Sequence, residues 1–550
     1  MRVTLLLLLA CKPPKTAAPP TPRGDALYFA MVDRFADGAP DAPGTTDVSD
    51  PQAWHGGDIA GLIERVPWLD AQGYGALWIS PITRARTEPI GEWGAYHGYW
   101  MLEPDAVEPR FGTQAQLEEL SAALHERGMG LYLDMVVNHL GYDSPRVEAH
   151  PDWFHHNGDI NDWGDAKQVV EFDVHGLHDL AQELPEVADW LGAAGEHWVR
   201  TVRPNGFRID AVRHVPPGFL AEYGDRMREA YGAPGFQLLG EVLDGNPSAL
   251  AERARSDRLD SQFDFPLMYG IQQSGICGDA DYQRVAANLF TERHLPTPPP
   301  GPLAPLVTLL DNHDVPRIAS LCDQTGPALA FLYGVRGTPS ITWGTEAGLD
   351  AAHEPENRAD MPWGEPMPLQ GALAGLNQLR ARWPALRDGQ QAVAELSPRS
   401  IRVVRWLPDQ TVWVVHHRSL QPLELSPAEA WLLTDTTLEP WDGGPFAGTL
   451  LARLDHAEGF DTAPRVTTLR VGPVELVEDE KLYVVGSAPE LGGWRADRAV
   501  PVTDSTAEIR MPGGTATAAK LVVVGSKSER WSQAQDVTVL AGGSVSVPWE

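Results

Sequence analysis

The feature that most limits what this chain can fold into is a series of short, almost unbroken apolar runs between residues 26 and 344. They are ALYFAMV (26–32), GALWIS (75–80), GLYLDMVV (130–137), GFRIDAV (206–212), FQLLGEV (236–242), LVTLLD (306–311) and PSITWG (339–344), with DSQFDF (260–265) as a weaker eighth. Half-exposed strands alternate apolar and polar residues, whereas strands covered on both faces read as continuous apolar runs. Helical patterns lie between them. Ile59, Leu62, Ile63, Val66 and Leu69 follow Asp58 at helical spacing. Thr113 and Gln116 form a capping-box signature ahead of Leu117, Leu120 and Leu124, and Gly128 is a stop signal. Val187, Trp190, Leu191 and Trp198 mark a further helix. Strand and helix alternating through eight units predict an α/β (β/α)8 barrel, with a doubly wound sheet as the alternative.

The remaining sequence attaches to that unit. Residues 139–184 are rich in His, Asp, Asn and Trp and too long for a simple connection, which predicts a small subdomain inserted after the third strand. After Gly389 the texture changes to alternating strands such as SIRVVRWL and TVWVVHH, and a second break lies near Pro464. The expected organisation is a leader and tether (1–24), a barrel (25–390), an all-β domain (391–462) and a β-sandwich (463–550). The formal charge of −32 repels phosphate backbones and argues against nucleic acid as a partner. No protein partner is implied. MRVTLLLLLAC reads as an export signal, being far short of the ~20 apolar residues that span a bilayer. Leu8-Leu9-Ala10-Cys11 resembles the lipobox of bacterial lipoproteins, which implies a lipid anchor at Cys11 and an exported, envelope-attached or secreted protein. The proline-rich KPPKTAAPPTPRG then reads as an extended tether. Cys277 and Cys322 remain, either paired in an oxidising compartment or present as two core thiols.

Polar residues collect where the apolar runs end. DMVVNH closes on Asn138 and His139, GFRIDAVRH holds Arg208 and Asp210, LLGEV carries Glu241, and LLDNHD carries His313 and Asp314. A barrel of this kind builds its site at the C-terminal ends of its strands, so these groups are expected to converge there. A single aspartate at a strand end is ordinarily a helix cap; four such motifs in succession are not explained that way.

In that order the motifs resemble the alpha-amylase family of glycoside hydrolases (family 13), and DRFADG, WHGGD, AYHGYW, RFGT, GTPSITWGTE and ENRADMPW agree with it. The resemblance implies that Asp210 is the nucleophile, Glu241 the general acid/base and Asp314 the carboxylate that grips the distorted sugar. Retaining hydrolysis requires such a pair about 5–5.5 Å apart. Arg208, two residues before Asp210, would keep it ionised. His139 and His313 match the histidines that bond the sugar, and Tyr99 its aromatic platform, with His97 and Trp100 beside it. Arg213 and His214 match the substrate-contacting end of the second motif, where true alpha-amylases often carry lysine in place of Arg213. A calcium ion is also implied, held by Asn138, Asp179 and the His214 carbonyl, with Asp165 as a further oxygen donor.

LYVVGSAPELGGW, AAKLVVV and Trp531 resemble the family 20 starch-binding module. That implies Trp494 and Trp531 stacking on glucose rings, with Lys520 bonding nearby. The expected function is a retaining alpha-amylase-type hydrolase acting on starch or another α-glucan. The alternatives are a glucanotransferase or cyclodextrin-forming or -degrading enzyme on the same scaffold, and a non-catalytic starch-capturing lipoprotein.

Overall fold

Each apolar run supplies one strand of a closed, all-parallel barrel: β1 (Leu27–Ala30), β2 (Ala76–Ile79), β3 (Gly130–Met135), β4 (Gly206–Ile209), β5 (Gln237–Gly240), β6 (Ser261–Phe263), β7 (Leu306–Thr308) and β8 (Thr338–Thr342). The strands follow one another around the ring, and β1 pairs with both β2 and β8, which closes it and removes the doubly wound alternative. The computed structural model describes residues 25–549 apart from 41–42, 233–234, 279, 298–300, 457–459, 478 and 527. The export signal, Cys11 and the tether therefore lie outside the described residues.

The helix signals act locally as chemistry requires. α1 (Ile59–Gln72) is capped by Asp58, whose carboxylate accepts from Gly61 N at 2.6 Å. α2 (Gln114–Glu126) opens on a complete capping box, with Thr113 N donating to Gln116 Oε1 at 2.9 Å and Gln116 N to Thr113 Oγ1 at 3.3 Å. α3 (Pro185–Thr201) buries Val187, Leu191 and Trp198 on the face toward the barrel. The segment after β3 carries short helices and a two-residue ladder in which His139 pairs with Asp179 and Leu140 with His178.

Six antiparallel strands between Gln390 and Leu454 follow the barrel. Val393, Ile401, Val403, Val412 and Val414 on one face of that sheet join the barrel's core cluster. The final region is two packed sheets with a core of their own around Leu469, Val484, Leu491, Ile509 and Leu521. It is seated on the barrel through polar contacts: Thr538 N donates to Gln283 Oε1 at 3.0 Å, and His294 Nε2 lies 2.5 Å from the Ser487 carbonyl. Cys277 and Cys322 are buried and joined by a disulfide, tying the segment after β6 to the one after β7. No helix among the described residues is long and apolar enough to cross a membrane.

Candidate active site

Arg208 organises the mouth of the barrel. It sits on β4 and pairs in register with Asp134 of β3, so both side chains leave the sheet on the same face. Its side chain is fully buried. Nη1 donates to Asp134 Oδ1 at 2.9 Å and to Asp210 Oδ1 at 2.7 Å, while Nη2 lies 2.7 Å from Glu241 Oε1. Three carboxylates thus share one guanidinium.

The backbone sets up this geometry at the end of β4. Ala211 is held at φ 50°, a left-handed conformation that a residue with a Cβ seldom adopts and that is typical of functional turns. The turn aims Ala211 N at Glu241 Oε2, 3.1 Å away. Val212 N donates to the Glu241 carbonyl at 3.1 Å, so the ends of β4 and β5 are locked together.

One positive charge cannot compensate three negative ones in a low-dielectric site, and protons make up the difference. Burial pushes Glu241 up to about 8, and the charges of Asp210 and Asp314 act in the same direction against Arg208. Burial likewise pushes Asp134 up to about 7, opposed by Arg208. Asp314 moves the other way: burial would raise it, but His313, Arg358 and Arg208 together hold it below the usual carboxylate range. Arg358 Nη2 donates to Asp314 Oδ1 at 3.1 Å, and His313 Nε2 is 3.2 Å from Asp314 Oδ2.

An aromatic floor completes the mouth. The Tyr99 ring stacks on His313 with centroids 5.2 Å apart and planes 9° from parallel, and its hydroxyl donates to Asp134 Oδ2 at 2.9 Å. His97 accepts from Tyr99 N through Nδ1 at 3.0 Å and meets Trp100 edge-on at 4.9 Å. His139 Nε2 donates to the Tyr99 carbonyl at 3.2 Å. Burial lowers the pKa of His97, His139 and His313, the last to about 3, so all three imidazoles are neutral near pH 7.

The other expected positions are distributed as follows. Arg213 turns toward the loop after β5, donating to the Leu243 carbonyl at 3.2 Å. His214 Nδ1 donates to the Val169 carbonyl of the inserted segment at 2.8 Å. Asn138 Oδ1 and Asp179 Oδ1 are buried and have no hydrogen-bond partner among the described residues. The two residues are adjacent in space, since Leu180 N donates to the Asn138 carbonyl at 2.9 Å. Orphaned oxygens of this kind fit a hard cation. Among the described residues no three His, Cys, Asp or Glu side chains converge as a metal cage, so an ion here would depend on amide and carbonyl oxygens. Asp165 is exposed and caps a short helix, accepting from Lys167 N at 2.8 Å. Trp494, Lys520 and Trp531 come together and line one open cleft.

Two residues of the site escaped the sequence reading. Asp134 bears the same signal as Asp210, a carboxylate inside an apolar run, and Arg358 stands in the ENRADMPW stretch without an assigned role.

Comparison with known proteins identifies the family. The family described as alpha amylase, catalytic domain, matches residues 29–365, and the starch binding domain family matches residues 466–547. A beta/alpha-amylase of Paenibacillus polymyxa is 32% identical over 66% of this chain, which spans 31% of that relative. A cyclomaltodextrin glucanotransferase of Klebsiella oxytoca is 24% identical over 88% of this chain and 85% of its own length. The crystal structure of an Anoxybacillus alpha-amylase superposes with a TM-score of 0.70 at 30% identity, covering 80% of this chain and 99% of that one. For the first curated relatives the chain spans between 31% and 58% of their length. The chain belongs to the alpha-amylase family and carries a starch-binding domain of family 20 at its C-terminal end.

Proposed function

We propose that this chain is a retaining glycoside hydrolase that cleaves α-1,4-glucosidic bonds in starch, glycogen or malto-oligosaccharides. One observation carries the reading: Asp210 and Glu241 lie 2.7 Å from the two Nη atoms of a single buried arginine, and burial pushes Glu241 up to about 8. The shared guanidinium holds the two carboxylates side by side, and the proposal requires them to stand about 5–5.5 Å apart. Glu241, protonated at neutral pH, donates its proton to the glycosidic oxygen as the bond to the anomeric carbon breaks. Asp210, paired with Arg208 Nη1 at 2.7 Å, forms the new bond to that carbon. Glu241, now a carboxylate, then takes a proton from water, whose oxygen displaces Asp210 and restores both groups. Asp314, held as an anion by the charges of Arg358 and Arg208, stabilises positive charge on the ring and accepts from its hydroxyls. Tyr99 offers a face to the sugar, while neutral His97, His139 and His313 bond its hydroxyls without adding charge.

Reducing ends released from soluble starch test this reading. The wild-type chain is expected to release them and Asp210→Asn to lose nearly all activity, whereas an unchanged rate in Asp210→Asn contradicts the assignment. The relationship to a cyclomaltodextrin glucanotransferase gives the second reading, transfer to another sugar. Longer chains or rings formed from maltoheptaose would establish it.

Calcium at Asn138, Asp179 and the His214 carbonyl is part of the proposal, supported by the two orphaned oxygens. When bound, a calcium ion supplies a fixed charge that joins the inserted segment to the barrel. Chelation is expected to lower the melting temperature, and calcium to restore it. Export with lipid attachment at Cys11 is likewise proposed. Cys11→Ala should move the protein from the membrane to the soluble fraction.

A further inference from the structure

The cleft on the starch-binding domain is not built by that domain alone. Its volume of about 350 Å³ is bounded on one side by Trp494, Lys520 and Trp531 and on the other by Asp244 and Asn246 of the barrel. Those barrel residues belong to the loop that leaves β5, starting three positions after Glu241. Three residues extend by at most about 3.6 Å each, so the Cα of Asp244 lies within about 11 Å of that of Glu241.

Both walls are fixed. On the domain side, Gly493 is pressed against the barrel: a Cβ there would come within 2.2 Å of Ser248 Oγ and 2.9 Å of His294 Cε1. The Ser248 hydroxyl donates to the Gly493 carbonyl. The next residue, Trp494, is held at φ 64°, an unusual conformation for a bulky side chain, with its N–H on the Gly486 carbonyl at 2.8 Å. Arg495 pairs with Glu252 of the barrel. On the barrel side, Asp244 Oδ1 accepts from Asn246 N at 2.8 Å. Arg213, three residues after Asp210, grips the same loop at the Leu243 carbonyl, 3.2 Å away. The loop is therefore tied to both strands that carry the catalytic pair.

The chemistry of the lining suits a sugar chain. Two indoles offer apolar faces to glucose rings, while the carboxylates of Asp244 and Asp536, the Asn246 amide and the Lys520 ammonium, which faces Asp536 at 3.6 Å, are placed for the ring hydroxyls. We propose that the cleft is one α-glucan site shared by the two domains, and that its occupant is the same chain that enters the barrel mouth. Trp494 and Trp531 hold that chain from the domain side, and Asp244 and Asn246 from the barrel side. This inference rests on the reading of the protein as an α-glucan hydrolase. It has a consequence that an independent granule-binding appendage does not share: soluble chains long enough to reach from cleft to mouth are favoured over short ones.

The test uses the full-length protein and two variants. Trp494→Ala removes one stacking face. The double variant Asp244→Asn/Asn246→Asp alters the barrel wall while keeping an oxygen at each position, including the cap oxygen that accepts from Ser248 N at 2.9 Å. The readout is kcat/KM for a long soluble maltodextrin divided by that for maltotriose, with adsorption to starch granules measured in parallel. Both variants are expected to lower the ratio about tenfold and to weaken adsorption. If Trp494→Ala abolishes adsorption while the ratio stays at the wild-type value, the domain acts alone and the inference fails, although the hydrolase reading stands. A ratio lowered by Trp494→Ala but untouched by the barrel-side pair also overturns the shared site. Wild-type protein that degrades neither substrate overturns the hydrolase reading itself.

Discussion

At the barrel mouth Arg208 is fully buried and Asp210, Glu241 and Asp314 expose only 13%, 9% and 32% of their side chains. In the cleft, Trp494, Lys520 and Trp531 are all half-buried, and Lys520 faces Asp536 across 3.6 Å. Under the proposed function the two regions would meet a sugar in opposite ways. The mouth concentrates charge where water is scarce, so the charges of Asp210 and Asp314 help to raise Glu241 and reactivity follows from unequal environments. The cleft leaves flat apolar faces near solvent, where they gain by covering a ring and have no charge to tune. Catalysis requires stored electrostatic tension; holding requires accessible surface.

Substitutions can break this contrast or sharpen it. The largest effect is expected at the mouth: Glu241→Gln removes the proton donor and should cost about 10²- to 10⁴-fold in kcat on soluble starch. A loss under tenfold would mean the two regions do not differ in kind. Asp134→Ala comes next. Arg208 keeps Asp210 and Glu241, but the Tyr99 hydroxyl and Trp78 Nε1 lose their acceptor, and each buried donor left unpaired costs about 1–3 kcal/mol, readable as a lower urea midpoint. Trp531→Ala in the cleft should cost less than Asp134→Ala in stability, because its indole is half exposed, and should act mainly on glucan affinity. Stability loss equal to that of Asp134→Ala would show that the cleft is a packed core. The smallest effect is a displacement of the pH profile. Glu241 must start protonated, so kcat/KM falls as pH rises through its raised pKa of about 8. The Asp314 charge contributes to that elevation, so in Asp314→Asn the pKa of Glu241 drops and the alkaline limb moves to lower pH. A limb that stays in place or moves upward would contradict the coupling.

How much of this was legible in the sequence depends on the range of the forces involved. The eight strands were readable, DSQFDF included, because burial on both faces leaves a continuous apolar record. The cap of α2 was readable because Thr113 and the N–H it accepts from are three residues apart. Asp210, Glu241 and Asp314 stood out as charges at the ends of apolar runs, and the fold brings them to one arginine-centred cluster. Asp134 went unassigned because its partner Arg208 is 74 residues away, and Arg358 because Asp314 is 44 residues away. Asp165 shows the converse limit. An aspartate that caps a helix and one that binds an ion have the same local sequence signal, and here the carboxylate is seen capping. The state of Cys277 and Cys322 stayed open until the barrel placed them at a Cα–Cα distance of 4.4 Å. The barrel wall of the cleft was invisible, since Ser248 and Gly493 meet only through docking of two domains across 245 positions.

Asp210 is proposed to form the bond to the anomeric carbon, and the most direct measurement captures that bond. A maltosyl fluoride carries a leaving group that needs no proton, so Glu241→Gln should complete the first step and stall before water can be activated. Peptide mass spectrometry is predicted to find one maltosyl unit on the peptide containing Asp210. An adduct on Asp314 or elsewhere, or turnover with inversion and no adduct, would contradict it.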